Sequence, residues 1–350
     1  MVIVMKESAT EQHIQQATQK LESMGFSVSR IVGVNHSILG AVGDKRGVDP
    51  RELEILEGVE RVLVITEPYK LASRAVKPQG SRLRIGAMDI GGDDVVLMAG
   101  PCAVEGEAEI HEVAQVVARS GALVLRGGAF KPRTSPYSFQ GLGKQGLQYL
   151  RSAADEHGLL VATEVMDVTQ VELVARYADI LQIGARNMQN YNLLKEVGKT
   201  RRGVMLKRGF AATLEEWLMS AEYVMSEGND QVILCERGIR SFGDHFRFLL
   251  DVSSVPALKE RSHLPVIVDP SHAAGVRSKV PALARAGLAV GADGLIIEIH
   301  PHPERAVSDG PQALLPDQFF ILVEELQRIA RAMGKRFADN ALRTANGQAT

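Results

Sequence analysis

Residues 95–126 read VVLMAGPCAVEGEAEIHEVAQVVARSGALVLR. An apolar run, Val95–Ala99, is broken by Gly100-Pro101. The amphipathic stretch Glu107–Arg119 follows, and a second apolar run, Ala122–Arg126, begins within three residues of its end. This is a strand, a helix and a strand in a span that suits one parallel crossover. The alternation continues to the C-terminal region. Further strands are read at Leu160–Glu164, Ile180–Ile183, Val204–Lys207, Val232–Glu236, Val266–Asp269 and Gly294–Glu298, and further helices at Gln145–His157, Leu214–Ser226 and Val276–Val290. Eight strands alternating with helices over roughly 240 residues is the size and order of a (β/α)₈ barrel. A doubly wound open sheet is the alternative, and the count of eight favours closure.

The residues before this repeat have a different rhythm. Val2–Met5 reads as a strand. Thr10 caps a helix that runs to Met24, with Ile14, Ala17 and Leu21 near helical spacing and Gly25 as its stop. Phe26–Val34 and Ile38–Val42 read as strands, Pro50 opens a short helix to Leu56, and Val59–Ile65 closes the unit. The order βαββαβ is that of a ferredoxin-like domain. The predicted organisation is therefore a ferredoxin-like domain at 1–66, a linker with a hairpin near Leu83–Ile90 at 67–94, a barrel at 95–334, and a frayed tail at 335–350.

Composition excludes several classes of function. The net charge of −2 on 350 residues provides no basic field for nucleic acid or a membrane surface. The apolar runs are too short to span a bilayer, and the first residues carry no signal-peptide pattern. Cys102 and Cys235 are too few for a disulfide framework, so a cytoplasmic protein is expected. Cys235, within an apolar run, reads as core.

The segment after the second barrel strand is the densest in chemistry. From Gly127 to Gly143 it holds Lys131-Pro132-Arg133-Thr134-Ser135-Pro136, directly after Arg126. Prolines fix the backbone, cations and hydroxyls offer contacts to a small phosphorylated anion, and a plain surface turn needs none of this. The other strand ends are equally polar: Gly100-Pro101-Cys102, Thr163-Glu164, Gln182 with Gly184-Ala185-Arg186, Lys207-Arg208, Glu236-Arg237, Asp269-Pro270-Ser271-His272, and Glu298-Ile299-His300. Barrel enzymes carry their chemistry at these ends. The cations Arg126, Lys131, Arg133, Arg186, Lys207 and Arg237 converge there. They would repel one another unless anions occupy the site, which implies two anionic substrates or one polyanion. Some of them are expected to pair with Glu164, Glu236 and Asp269. Cys102, His272, Glu298 and Asp309 form a second set of thiol, imidazole and carboxylates, brought together because strands one, seven and eight are neighbours in a closed barrel. Such a set suits a divalent metal without naming it.

These segments, above all Gly100-Pro101-Cys102, Arg126 to Gly143 with its Lys-Pro-Arg-Thr-Ser core, Gln182 to Asn187, Leu206-Lys207-Arg208-Gly209, Cys235-Glu236-Arg237-Gly238, Asp269 to His272 and Glu298 to Pro301, resemble 3-deoxy-D-arabino-heptulosonate 7-phosphate (DAHP) synthases of the short microbial type. The resemblance runs from residue 1 to about 334. It implies condensation of phosphoenolpyruvate with erythrose 4-phosphate, the first step of the shikimate pathway to aromatic amino acids. By resemblance, Arg186, Lys207 and Arg237, with the Ala185 backbone, hold the phosphate of phosphoenolpyruvate, and Arg126 and Lys131 face its carboxylate. Lys131, Pro132, Arg133, Thr134, Ser135 and Asp269 are expected at erythrose 4-phosphate. Cys102, His272, Glu298 and Asp309 are expected to bind one divalent metal, Mn²⁺ first, with Fe²⁺, Co²⁺ or Zn²⁺ as alternatives. Lys131 and Glu164 are the expected proton donor and base.

The resemblance also implies that the N-terminal domain senses an aromatic amino acid, with Ser27, Ser29, Asn35, His36 and Ser37 as polar candidates, and that the enzyme is a dimer or tetramer. The rival readings are a sister synthase acting on a longer sugar such as arabinose 5-phosphate, a non-catalytic phosphosugar-binding barrel, and a metal-dependent aldolase.

Overall fold

The structure is a computed structural model, and it describes residues 1–32, 37–43, 49–63, 67–86, 88–132 and 135–338. Of the residues singled out above, Asn35, His36, Arg133 and Thr134 lie outside the described residues.

The first unit runs β1 (Val2–Met5), α1 (Glu11–Ser23), β2 (Ser27–Val32), β3 (Ser37–Val42), α2 (Arg51–Glu54) and β4 (Val59–Leu63). Its sheet is antiparallel in the order β2-β3-β1-β4, the arrangement of a ferredoxin-like domain. Thr10 caps α1 by accepting from the His13 N–H, and the buried face of the helix is Ile14, Ala17 and Leu21. The second helix is one turn and stops short of Leu56, because the chain turns at Gly58 with φ +83°. A Cβ there would lie 2.6 Å from His13 Cβ and 2.9 Å from its ring. In the linker, β5 (Leu83–Ile85) and β6 (Met88–Ile90) form the expected hairpin.

The barrel strands are β7 (Asp94–Gly100), β8 (Val124–Arg126), β9 (Leu160–Glu164), β10 (Ile180–Ile183), β11 (Gly203–Lys207), β12 (Val232–Glu236), β13 (Val266–Val268) and β14 (Gly294–Glu298). Each pairs in parallel with the next, and β14 pairs with β7 from Gly294↔Val96 to Glu298↔Gly100. That last pairing closes the sheet and rules out the open alternative. The helices between strands are α3 (Glu107–Arg119), α4 (Lys144–Glu156), α5 (Val171–Tyr177), α6 (Tyr191–Gly198), α7 (Leu214–Ser226), α8 (Ser254–Arg261), α9 (Pro270–Ala274) and α10 (Val280–Ala289), with α11 (Pro316–Ala332) after β14.

Alternation along the strands sorts the core into two layers. Val96, Met98, Val124, Ala162, Met205, Ile233, Cys235, Ile267 and Ile296 fill the barrel interior, so Cys235 is core as expected. Leu83, Ile85, Met88 and Ile90 of the hairpin join the same cluster. The hairpin plugs the end of the barrel opposite the strand carboxyl termini, and Gly203 is required beneath it: a Cβ there would lie 2.4 Å from Ile85 Cδ1. Burial of each hairpin side chain contributes about 1.5–3 kcal/mol.

Three local expectations are corrected. Asp269 does not extend its strand. It caps α9 instead, its carboxylate accepting from the His272 N–H, a role short acidic side chains take in preference to strands. The stretch Val276–Val290 is split into a 3₁₀ turn, Arg277–Lys279, and α10. Pro281 lacks an N–H and is accommodated only in the first turn of a new helix. Finally, the chain after Gly334 does not fray at once: β15 (Arg336–Phe337) pairs with the start of β7, and Ala338 is buried. Main-chain pairing of this kind leaves no periodic signature in two residues.

Candidate active site

The carboxyl ends of the strands surround a cavity of about 210 Å³. Lys131, Arg186, Lys207 and Arg237 line it as cations, and Glu164, His272 and Asp309 line it as acid–base groups. Gln182, Ala185 and Pro132 complete the wall reached from the predicted residues. Ser135 is described but lies outside the lining.

The segment carrying Lys131 is stapled at its base. Gly128 N–H donates to the Cys102 carbonyl (3.1 Å), Gly143 N–H to that of Ala129 (2.9 Å), and Lys131 N–H to that of Gln140 (3.0 Å). Gly128 allows a close approach: a Cβ would meet the Cys102 carbonyl oxygen at 2.9 Å and the Lys131 stem at 2.8 Å. The Lys131 ammonium is thereby led inward to Cys102, 2.9 Å from its carbonyl oxygen and 3.0 Å from its Sγ.

Cys102, His272, Glu298 and Asp309 present donor atoms that all lie within 4.8 Å of one another. Cys102 Sγ is 3.2 Å from Asp309 Oδ2, and His272 Nε2 is 3.4 Å from Glu298 Oε1 and 3.8 Å from Asp309 Oδ2. The surrounding contacts aim these atoms. His272 Nδ1 lies 2.7 Å from Asp269 Oδ2, leaving Nε2 toward the cluster, the arrangement in which a carboxylate orients a ligating imidazole. Glu298 Oε1 accepts from Arg126 at 2.8 Å, and Oε2 accepts from the Gln312 amide. Asp309 takes a left-handed backbone, φ +55°, the one non-glycine residue with positive φ among those described. Such strain is held in place only by its surroundings. Burial and the neighbouring Glu298 push the Cys102 thiol up to about 11, against the pull of Lys131. Burial works against ionisation of Asp309, yet His272 and Arg247 outweigh it and bring its carboxyl down to about 2. One thiol, one imidazole and two carboxylates within this compass fit a divalent metal.

The cations divide by their partners. Lys207 is 2.6 Å from Asp269, and Arg208 reaches Glu236 at 2.9 Å and Asp251 at 2.8 Å. Arg126 gives Nη1 to Glu298 and to the Pro101 carbonyl and is not part of the cavity lining. Arg186 and Arg237 line the cavity without an ion-pair partner among the described residues. The expected pairing is thus realised for Lys207 with Asp269, whereas Glu236 pairs with Arg208, which lies outside the expected cation set, and Arg126 pairs with Glu298. Glu164 faces the cavity with Gln182 Nε2 at 3.4 Å as its side-chain neighbour.

Comparison with known proteins agrees with this geometry. Residues 73–333 match the DAHP synthetase I family, and residues 1–67 match the DAHP synthase ferredoxin-like domain. The chain belongs to the DAHP synthetase I family. It is 47% identical to the phospho-2-dehydro-3-deoxyheptonate aldolase of Thermotoga maritima over 95% of this chain and 99% of that one. The crystal structure of the DAHP synthase from Thermotoga maritima superposes with a TM-score of 0.77 at 46% identity, covering 96% of this chain and 98% of that chain. A 2-dehydro-3-deoxyphosphooctonate aldolase from Geobacter sulfurreducens is 34% identical over 71% of this chain and 97% of its own length. The expected family, enzyme class and barrel architecture hold.

Several residues of this DAHP synthase-family site were not legible beforehand. Phe210, Arg247, Phe248 and Ser308 also line the cavity, and Gln312 holds Glu298. Arg247 Nη1 is 3.2 Å from both Asp309 Oδ1 and Gln312 Oε1. They lie in loops without periodicity. The available signal was the density of arginines and phenylalanines from Arg237 to Phe248.

His300, at the end of β14, belongs elsewhere. Its Nε2 is 3.1 Å from Glu109 Oε1 and 4.0 Å from Glu105 Oε2, a grouping that resembles a second metal site. However, the His302 N–H donates to His300 Nδ1 at 3.0 Å. The neutral ring then carries its proton on Nε2, where a metal needs a lone pair. Glu105 also accepts from the Val307 N–H, so this trio braces the loop carrying Ser308 and Asp309 against the start of α3.

Proposed function

We propose that this enzyme condenses phosphoenolpyruvate with erythrose 4-phosphate and water, releasing phosphate and DAHP, and that it requires a divalent metal. The observation that carries this reading is that Arg186 and Arg237, without ion-pair partners among the described residues, line one cavity with Lys131 and with His272 and Asp309, two members of the Cys102–His272–Glu298–Asp309 group. Arg186, Lys207 and Arg237, with the Ala185 backbone, take the phosphate of phosphoenolpyruvate. Lys131 and the remaining N–H groups of Arg126 take its carboxylate. Pro132, Arg133, Thr134 and Ser135 take erythrose 4-phosphate, while Asp269 acts on that side by orienting Lys207 and His272. A bound metal, Mn²⁺ first among the candidates, supplies Lewis-acid polarisation of the aldehyde.

The bonds change as follows. C3 of phosphoenolpyruvate attacks the aldehyde carbon, and Lys131 delivers a proton to the forming hydroxyl. Water adds at the electron-poor C2 and gives its proton to Glu164. The hemiketal phosphate then collapses: the C2–O bond to phosphate breaks, the C2 hydroxyl becomes the keto group, and its proton leaves with the departing phosphate. Phosphate release is assayed with both substrates before and after chelation. Loss on chelation with recovery on adding Mn²⁺ is expected, and full activity in chelator refutes the metal. Faster turnover on arabinose 5-phosphate than on erythrose 4-phosphate would favour the sister synthase.

The N-terminal domain is proposed to bind an aromatic amino acid. Ser27, Ser29 and Ser37 lie on paired strands, β2 and β3, where such a ligand finds hydroxyls. Inhibition by tyrosine or phenylalanine that persists after deletion of residues 1–66 refutes this. A homo-oligomer in the cytoplasm is the proposed working form, and no described helix is long and apolar enough to cross a membrane.

A further inference from the structure

Arg237 and Arg208 leave neighbouring strand ends, yet their surroundings are opposite. Arg208 is held by two carboxylates. Arg237 is 4% exposed, has no ion-pair partner among the described residues, and donates only a long bond to the Gly238 carbonyl (3.4 Å). Its guanidinium instead lies 4.1 Å from the Phe248 ring centre and 5.0 Å from that of Phe210. The two rings stack on each other, 5.0 Å apart and 6° from parallel. Arg186 also lies over Phe210 at 5.5 Å.

The chain is shaped to hold this pair. Arg240 N–H donates to the Phe210 carbonyl at 2.6 Å, and Phe248 N–H to that of Ala273 at 3.0 Å. Gly238 has φ +92°, and a Cβ there would strike the Phe248 Cβ at 2.6 Å. A carboxylate beside Arg237 would neutralise it and occupy its N–H fork. An aromatic face attracts a cation while leaving the fork free, and does so most strongly where water is excluded.

We infer that Phe210 and Phe248 are positioning residues: their stacked rings hold Arg237, and through Phe210 also Arg186, as uncompensated cations preset for a phosphate monoester. This rests on the reading that these arginines receive the phosphate of phosphoenolpyruvate. It explains how the buried Arg237 remains in place, without a carboxylate partner among the described residues, before substrate arrives.

The test is steady-state kinetics on the full-length, Mn²⁺-loaded enzyme, varying each substrate. Phe248→Leu should raise the KM for phosphoenolpyruvate about tenfold, with the KM for erythrose 4-phosphate within about twofold and a thermal midpoint showing a folded protein. Phe248→Tyr, which keeps the ring, should stay near the parent. An unchanged phosphoenolpyruvate KM in Phe248→Leu, or equal damage in Phe248→Tyr, overturns the inference. If Phe248→Leu does not fold, Phe210→Leu is judged by the same two constants. Arg237→Ala separates the two levels. If it leaves the phosphoenolpyruvate KM unchanged, the phosphate-site reading falls and takes this inference with it. If it raises that KM while the leucine variants do not, only the aromatic support is refuted.

Discussion

The Lys131 ammonium lies 3.0 Å from Cys102 Sγ and donates to the carbonyl oxygen of the same residue. A cation at this point faces both the proposed metal group and the cavity, and the proposed condensation uses it as proton donor to the aldehyde oxygen. Replacing it by methionine keeps the volume and removes the proton. Lys131→Met should lower kcat by about 10²–10⁴-fold, the usual range for a lost general acid. Isothermal titration with Mn²⁺ should still show one site. Near-parental turnover would remove Lys131 from the proton transfer.

The thiol of Cys102 predicts how metal uptake depends on pH. Burial and Glu298 hold its pKa at about 11, so the group is protonated at neutral pH, whereas a metal binds thiolate. Uptake must therefore release a proton, and affinity should rise with pH. Calorimetry in buffers of different ionisation enthalpy should give about one proton released per metal bound at pH 7. Cys102→Ser should lower that number and weaken binding. No proton release would show that the thiol stays out of the metal's coordination.

The barrel and the strand-end chemistry were legible because both are local. Apolar runs of four or five residues, and a polar residue at the end of each, can be read without knowing where the chain goes. The contacts that aim the site were not. Arg126 looked like a substrate contact and spends Nη1 on Glu298, a strand-eight residue reached across the β7–β14 seam. Asp269 looked like the end of a strand and is a helix cap. Phe248 and Arg247 reach the cavity because a bridge between Ile239 and Leu249 folds their loop back, and no period announces a bridge of one pair.

The Arg126–Glu298 pair gives a stability prediction. Both side chains are at most 5% exposed, so removing one partner strands a buried charge. Arg126→Leu should destabilise the protein by about 3–5 kcal/mol, read as a drop in the chemical-denaturation midpoint. The double variant Arg126→Leu with Glu298→Gln should recover part of that loss. Equal losses in the single and double variants would mean that packing, not charge, governs the site.

Glu222 on α7 ties the linker to the barrel. Its carboxylate accepts from the N–H groups of Lys70, Leu71 and Ala72 at 2.8–2.9 Å. Glu222→Ala leaves three amides without this partner and should cost about 2–3 kcal/mol locally. Limited trypsin digestion should then cut near Lys70 and Arg74 much faster than in the parent, with the barrel resistant. Unchanged cleavage would place the hold on the linker elsewhere.

His263, between α8 and β13, holds the same linker segment from beside Glu222. Its ring nitrogens bond the Ser81 hydroxyl and the Leu71 carbonyl, both at 2.7 Å. Burial, reinforced by Lys77, lowers its pKa from 6.5 to about 3. The folded state keeps the ring neutral while the unfolded chain binds a proton below 6.5. The contribution of His263 is therefore complete above that pH and is lost as the pH falls toward 3. Its share of the slope approaches about 1.4 kcal/mol per pH unit between these limits. His263→Gln retains polar atoms but cannot titrate there. Its unfolding free energy should fall less steeply than the parent's between pH 6 and 4, judged by urea titration. Parallel slopes would show that carboxylates alone set the acid sensitivity of this face.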